Sequence, residues 1–119
     1  MNGYVKKGHE LHESNKFEEA IQFYDKAINL NPTCLQAFNN KGSTLCCLLK
    51  YEEAIQCYNK GIEFYPNYSS IYCNKGCALV NSKKYQEAIQ CFEKAIQLDP
   101  NDLKAIKYKE KAMILYAKK

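Results

Sequence analysis

Seven cysteines and two histidines are the residues of this 119-residue chain best equipped for metal or redox chemistry. Thiolate and imidazole groups are soft ligands that suit zinc or copper. His9 and His12 stand three apart and Cys73 and Cys77 four apart, spacings that put each pair on one face of a helix. Structural zinc sites announce themselves by tight Cys-x-x-Cys pairs, and the chain has none. Cys73 and Cys77 fit equally well as small apolar fillers, so neither a metal nor another cofactor is expected. Catalytic machinery is also missing from the pattern: there is no phosphate-cradling glycine loop, nucleophile elbow or two-histidine metalloprotease helix. The carboxylate pairs Glu18-Glu19 and Glu52-Glu53 fall at helix starts, where negative charge complements the helix dipole. A non-enzymatic protein is expected.

The cysteine count is odd, and the spacings repeat with helical geometry. A closed disulfide framework would leave one thiol over. Free thiols point to a reducing compartment, the cytoplasm or the nucleus. Met1 to His12 offers no apolar stretch of signal-peptide length. The apolar run Leu45 to Leu49 is five residues, far from the ~18 of a membrane span. The formal charge is +4, much of it from one end, where Lys104, Lys107, Lys109, Lys111, Lys118 and Lys119 face a single acid, Glu110. That local basic end falls short of the basic, aromatic-rich surface expected for nucleic-acid binding. Neither a membrane nor a nucleic acid is expected as partner.

The elements that would position these residues repeat. Segments starting at Glu18, Glu52 and Gln86 begin 34 residues apart and share the pattern Glu-Ala-Ile-Gln-x-aromatic-x-Lys. Pro32, Pro66 and Pro100 follow in the same register, as do Lys7-Gly8, Lys41-Gly42 and Lys75-Gly76 with Tyr4, Phe38 and Tyr72 before them and Leu11, Leu45 and Leu79 after. Apolar residues recur at three and four within each unit, which predicts two amphipathic helices per repeat. First helices are predicted near 2–14, 36–48 and 70–82, and second helices near 18–30, 52–64 and 86–98. Each proline ends a unit, because it cannot continue a helix and displaces its predecessor from helical geometry. The mid-helix glycines lower helix propensity by about 1 kcal/mol relative to alanine. They are expected to admit the partner helix at Ala20, Ala54 and Ala88. The glycine-free and proline-free stretch 103–118 is predicted to be a closing helix that covers the third repeat with Leu103, Ile106 and Met113.

The 34-residue period, the aromatic-x-x-x-Gly-x-x-Leu spacing and the closing proline resemble the tetratricopeptide repeat over essentially the whole chain. Tyrosine or phenylalanine replaces the usual tryptophan, and lysine stands in the usual leucine place at positions 7, 41 and 75. The resemblance implies an all-α right-handed superhelical solenoid of seven helices. Its repeats would be 1–34, 35–68 and 69–102, with a capping helix at 103–119.

The family's concave groove, lined by the first helix of each repeat, implies binding of an extended peptide or helix of another protein. The residues expected to meet it are Lys6, His9, Asn40, Ser43, Asn74 and Cys77, with Lys104, Lys107 and Lys111 favouring an acidic segment. Side-chain amides such as Asn40 and Asn74 offer both a donor and an acceptor to a peptide backbone. The family's dicarboxylate clamp for chaperone tails ending in Glu-Glu-Val-Asp would want lysine at Val5, asparagine at His9 and at Asn40, lysine at Ser70 and arginine at Asn74. Only Asn40 fits. The alternative expectation is a structural role, a homo-oligomer built through end faces or Cys-rich surfaces.

Overall fold

In each repeat an aromatic ring of the second helix lies against a glycine of the first, and this contact sets how closely the two helices approach. A Cβ built on Gly8, Gly42 or Gly76 would meet the ring of Tyr24, Tyr58 or Phe92 at 2.5 Å. Only a residue without a side chain leaves room for the ring. The sequence pattern pointed to Ala20, Ala54 and Ala88 as the partners of these glycines; the rings one turn further along fill that space instead. The three rings and three alanines are all buried to within 2% of full burial.

The computed structural model describes residues 3–118. It consists of α1 (Gly3–Glu13), α2 (Phe17–Leu30), α3 (Leu35–Cys47), α4 (Tyr51–Phe64), α5 (Ser69–Asn81), α6 (Tyr85–Leu98) and α7 (Leu103–Ala117), with no strand among the described residues. Each helix packs on the next in sequence, and the odd-numbered helices also touch one another in order, α1 to α3 to α5 to α7. This produces an elongated stack of 42 × 26 × 20 Å. The odd-numbered helices form one wall, and the stripe they share is the groove.

The turns inside the repeats close by the same hydrogen bonds each time. The Lys16 N–H donates to the Leu11 carbonyl at 2.8 Å and the Asn15 N–H to the His12 carbonyl at 3.0 Å. Equivalent pairs end α3, from Lys50 and Leu49, and α5, from Lys84 and Lys83. This closure needs a left-handed residue after the helix, and Asn15, Leu49 and Lys83 occupy that place at φ near 63°, 62° and 63°. Asparagine tolerates the conformation, whereas leucine does so at a cost. Leu49 is also 72% exposed, so burial returns nothing there.

Between repeats, small residues meet in register. Ala27 packs with Ala37, and Ala95 and Ala105 are both fully buried in the third interface. In the middle interface Gly61 stands where the other repeats have alanine, and its missing Cβ leaves the space taken by the Ile71 side chain. The closing helix differs from expectation. It covers the third repeat through Ala105 and Ala112 and through Tyr108, whose ring lies 5.9 Å from that of Phe92. Leu103 and Met113 remain 71% and 50% exposed. The physical reason is register: α7 continues the pattern of a first helix, so these two residues sit where a following second helix would pack. Asp102 caps α7 by accepting from the Lys104 and Ala105 N–H groups.

Two stability measurements test this account. Gly42→Ala drives its Cβ into the buried Tyr58 ring, and overpacking of this kind costs about 1–3 kcal/mol, more than the helix propensity gained. Leu49→Asn relieves left-handed strain at an exposed site and is expected to gain about 0.5–1 kcal/mol. Urea denaturation should move the midpoint down for the first and up for the second.

Candidate functional site

The groove stripe is built from positions two, five, six and nine of each repeat, counted from residues 1, 35, 69 and 103 and carried by the odd-numbered helices. Position six carries Lys6, Asn40, Asn74 and, continuing onto α7, Tyr108. Position nine carries His9, Ser43, Cys77 and Lys111, and position two includes Lys104. Because one side chain in about four faces the groove along each helix, the stripe is narrow and continuous across all four walls.

Two hollows interrupt it. The first, of about 390 Å³, lies between α1 and α3 and is lined by Val5, Lys6, His9, Leu35, Asn39 and Asn40, with Tyr68 at its edge. It joins an apolar wall to an ammonium, an imidazole and two amides. The second, of about 130 Å³, lies between α5 and α7 over the Phe92 ring, bounded by Cys77, Val80, Tyr108 and Lys111. Both ends of the groove can therefore take an apolar side chain beside a positive charge.

The expected contact residues divide into those left open and those already engaged. Lys6 and Asn40 line the first hollow, and Asn40 has no side-chain hydrogen bond among the described residues. His9 lines the same hollow and approaches Glu13 at 3.3 Å. Asn74 donates to the Asn39 side-chain oxygen at 2.8 Å, linking α5 to α3. Its amide retains a second N–H and its carbonyl for a ligand. The Ser43 hydroxyl lies 3.3 Å from that of Tyr58, so it serves the buried ring. Lys111 lines the second hollow with Cys77, while Lys104 and Lys107 are exposed on α7 and line neither hollow. Asn39, Tyr68 and Tyr108 were not singled out by the sequence pattern. Tyr108 stands 34 residues after Asn74, so the period itself would have found it.

The histidines and cysteines do not gather into a metal site. Among the described residues no three of His, Cys, Asp and Glu come together around a common point. His12 is instead bound to Thr44, the one buried polar residue among those described, through its Nδ1 at 2.8 Å. The Thr44 hydroxyl gives its hydrogen to the Asn40 carbonyl at 2.8 Å. Its lone pairs are then left to accept from His12 Nδ1–H. This places a proton of the His12 ring on Nδ1. Two helices, α1 and α3, are thereby tied at one oxygen.

The seven cysteines are unpaired. Burial holds the Cys46, Cys57 and Cys91 thiols above their ordinary range, which keeps them protonated and poorly nucleophilic. Cys77 is also held up, first by its hydrogen bond to Cys73 and then by burial. In the groove the same hydrogen bond holds the Cys73 thiol below its ordinary range, so the two neighbouring thiols are pushed in opposite directions.

The structure resembles solved domains over nearly its full length. It matches the first TPR domain of human RPAP3 with a TM-score of 0.94 at 25% identity, covering 97% of this chain and 91% of that one. The first TPR of Spaghetti (RPAP3), bound to the HSP90 peptide SRMEEVD, matches with a TM-score of 0.92 at 25% identity, over 96% of this chain and 90% of that one. The second TPR domain of human RPAP3, in complex with the HSP70 peptide SGPTIEEVD, gives 0.88 at 25% identity, over 92% of each chain. Among curated proteins none matches the chain.

Thr44→Val keeps the shape but removes the hydroxyl, leaving the part-buried His12 Nδ1–H unpaired. It is expected to lower stability by about 1–3 kcal/mol, with Thr44→Ser retaining most of it, as read by denaturant unfolding. The tetratricopeptide repeat profile matches residues 2–34, 35–68 and 69–102, and with the stacked helix pairs and the shared groove this shows that the chain belongs to the tetratricopeptide repeat family.

Proposed function

We propose that the groove binds an extended, acidic segment from within a partner protein, and that the chain acts as a non-enzymatic interaction scaffold. The observation that carries this reading is the open stripe across α1, α3, α5 and α7, with a hollow at each end and Lys6 and Lys111 beside them. The amides of Asn40 and Asn74 suit a peptide backbone, whose donors and acceptors need partners on leaving water. Two of the similar domains hold chaperone peptides ending in Glu-Glu-Val-Asp, which supports a peptide-binding groove.

The same comparison argues for a different partner. A terminal carboxylate needs cations where the peptide ends. Here Val5 is a 6% exposed aliphatic residue in the wall, His9 is engaged with Glu13, and Ser70 and Asn74 are neutral. At this end Lys6 is the cation beside them, whereas three gather at the other end on α7, Lys104, Lys107 and Lys111. An acidic internal segment fits that distribution better than a chain terminus. The seven free thiols favour a reducing compartment, so the location proposed is the cytoplasm or the nucleus.

The test has two arms. The peptide SRMEEVD is titrated with a free and with an amidated C-terminus, and the two forms are expected to bind alike and weakly. Partner segments captured from lysate by the wild type are then titrated against Asn40→Ala/Asn74→Ala at two salt concentrations. Each lost amide contact is worth about 0.5–1.5 kcal/mol, so from a micromolar wild type, near −8 kcal/mol, the double variant should be weaker by about tenfold. The lysine contribution should fall with salt while the asparagine contribution persists. Unchanged affinity in the double variant at both salts, or a strong preference for the free carboxylate, would overturn the reading.

A further inference from the structure

A ladder of ion pairs runs along the stack on the side away from the groove, and it lacks one rung. Position seven of each odd-numbered helix after the first carries a lysine, facing position 25 of the preceding repeat. In the first interface Lys41 meets Asp25 at 2.7 Å, and in the third Lys109 meets Glu93 at 3.3 Å. In the second interface the register sets Lys75 opposite Asn59, which carries no charge. Among the described residues Lys75 comes within 4.0 Å of no carboxylate.

The missing rung opens into a cleft. Between α5 and α6 a hollow of about 460 Å³ is lined by Tyr72, Lys75, Leu79, Glu87, Gln90, Cys91 and Lys94. The equivalent cleft of the preceding repeat, with Lys41, Glu53, Gln56, Cys57 and Lys60 at the matching places, measures about 250 Å³. In the first repeat the place of Cys57 and Cys91 is held by Phe23, which packs on Tyr4 and under Lys26. Both lysines of the larger cleft are half-buried, and Lys94, like Lys75, has no carboxylate within 4.0 Å among the described residues. Two half-buried lysines against one carboxylate, Glu87, leave the cleft a net single positive charge. Partial burial weakens solvent screening of that charge, and Gln90 adds an amide donor. Tyr72 turns its hydroxyl outward to the Pro66 carbonyl at 2.7 Å, so its ring contributes a wall and no competing donor.

We propose that this cleft is a second binding site, taking a carboxylate or phosphate group on Lys75 in place of the absent rung. The site lies on the opposite face of α5 from Asn74 and Cys77, because positions four, seven and eleven of a helix point away from positions five, six and nine. It can be filled while the groove is occupied, and it does not depend on what the groove binds.

The experiment is an NMR titration of the 119-residue protein with sodium phosphate, and separately with sodium acetate, at pH 7 and constant ionic strength set with sodium chloride. Saturable shifts are expected at Lys75, Gln90 and Lys94 with at least one of the two anions; a response to both means a carboxylate suffices, and to phosphate alone that three oxygens are needed. Lys75→Gln should weaken binding by about tenfold or more, one charge-assisted hydrogen bond. Asn59→Asp supplies the missing rung from within and should weaken binding similarly while raising the melting temperature. Lys60→Gln, in the smaller cleft, should leave the affinity unchanged. The proposal is overturned by shifts that do not saturate, by shifts spread evenly over the surface lysines, or by wild-type affinity in either Lys75→Gln or Asn59→Asp.

Discussion

The contact between a glycine and an aromatic ring inside each repeat carries the rest of the architecture. Gly8 with Tyr24, Gly42 with Tyr58 and Gly76 with Phe92 bring each helix pair to the same close distance. Because the contact recurs with the same closeness, each pair offers its neighbour a similar surface to stack on, as nearest-neighbour burial requires in a solenoid. That repetition is what aligns position six of α1, α3, α5 and α7 into one stripe. A groove able to hold an extended chain thus follows from three contacts that never touch the ligand.

Departures from the repeat are where individual properties arise. Tyr58 buries a ring and must place a hydroxyl, which Ser43 and Cys46 meet. Phe92 has no hydroxyl, and the hollow beside Lys111 opens over its ring. Gly61 and Ile71 stand where the other interfaces pair two alanines, the missing Cβ on one side making room for the larger side chain on the other. Asn59 removes one charge from a ladder that is otherwise paired. Each effect is visible because the equivalent positions of the other repeats supply the comparison.

The electrostatic pattern separates the two faces. Away from the groove, lysines are paired across repeats with Asp25 and Glu93, and Glu52 with Lys84 adds a further link. Exposed pairs of this kind contribute little stability; their effect is to cancel charge over most of that surface. In the groove the cations Lys6, Lys104, Lys107 and Lys111 make no ion pair among the described residues. Charge left uncancelled in a concave wall attracts anionic ligands and raises their rate of encounter.

Much of the fold could be read from the chain alone. The seven helices lie within a residue or so of the periodic pattern, since helix ends are set locally by proline, by turn residues and by the reach of the apolar stripe. The groove stripe was also legible, because a period of 34 and a helical turn of 3.6 together determine which side chains share a face. What the sequence could not show is which of those side chains remain free. Asn74 and Asn39 find each other across two helices, Ser43 is taken by Tyr58, and His12, a potential ligand by its type, is taken by Thr44 from 32 residues away. Nor could it show that the glycines accommodate rings, or that Leu103 and Met113 stay exposed while Ala105 and Ala112 are buried. Local spacing decides the face a residue occupies; hydrogen-bond partners and burial depend on neighbours brought in by the stacking of separate helices, and only the tertiary structure decides those.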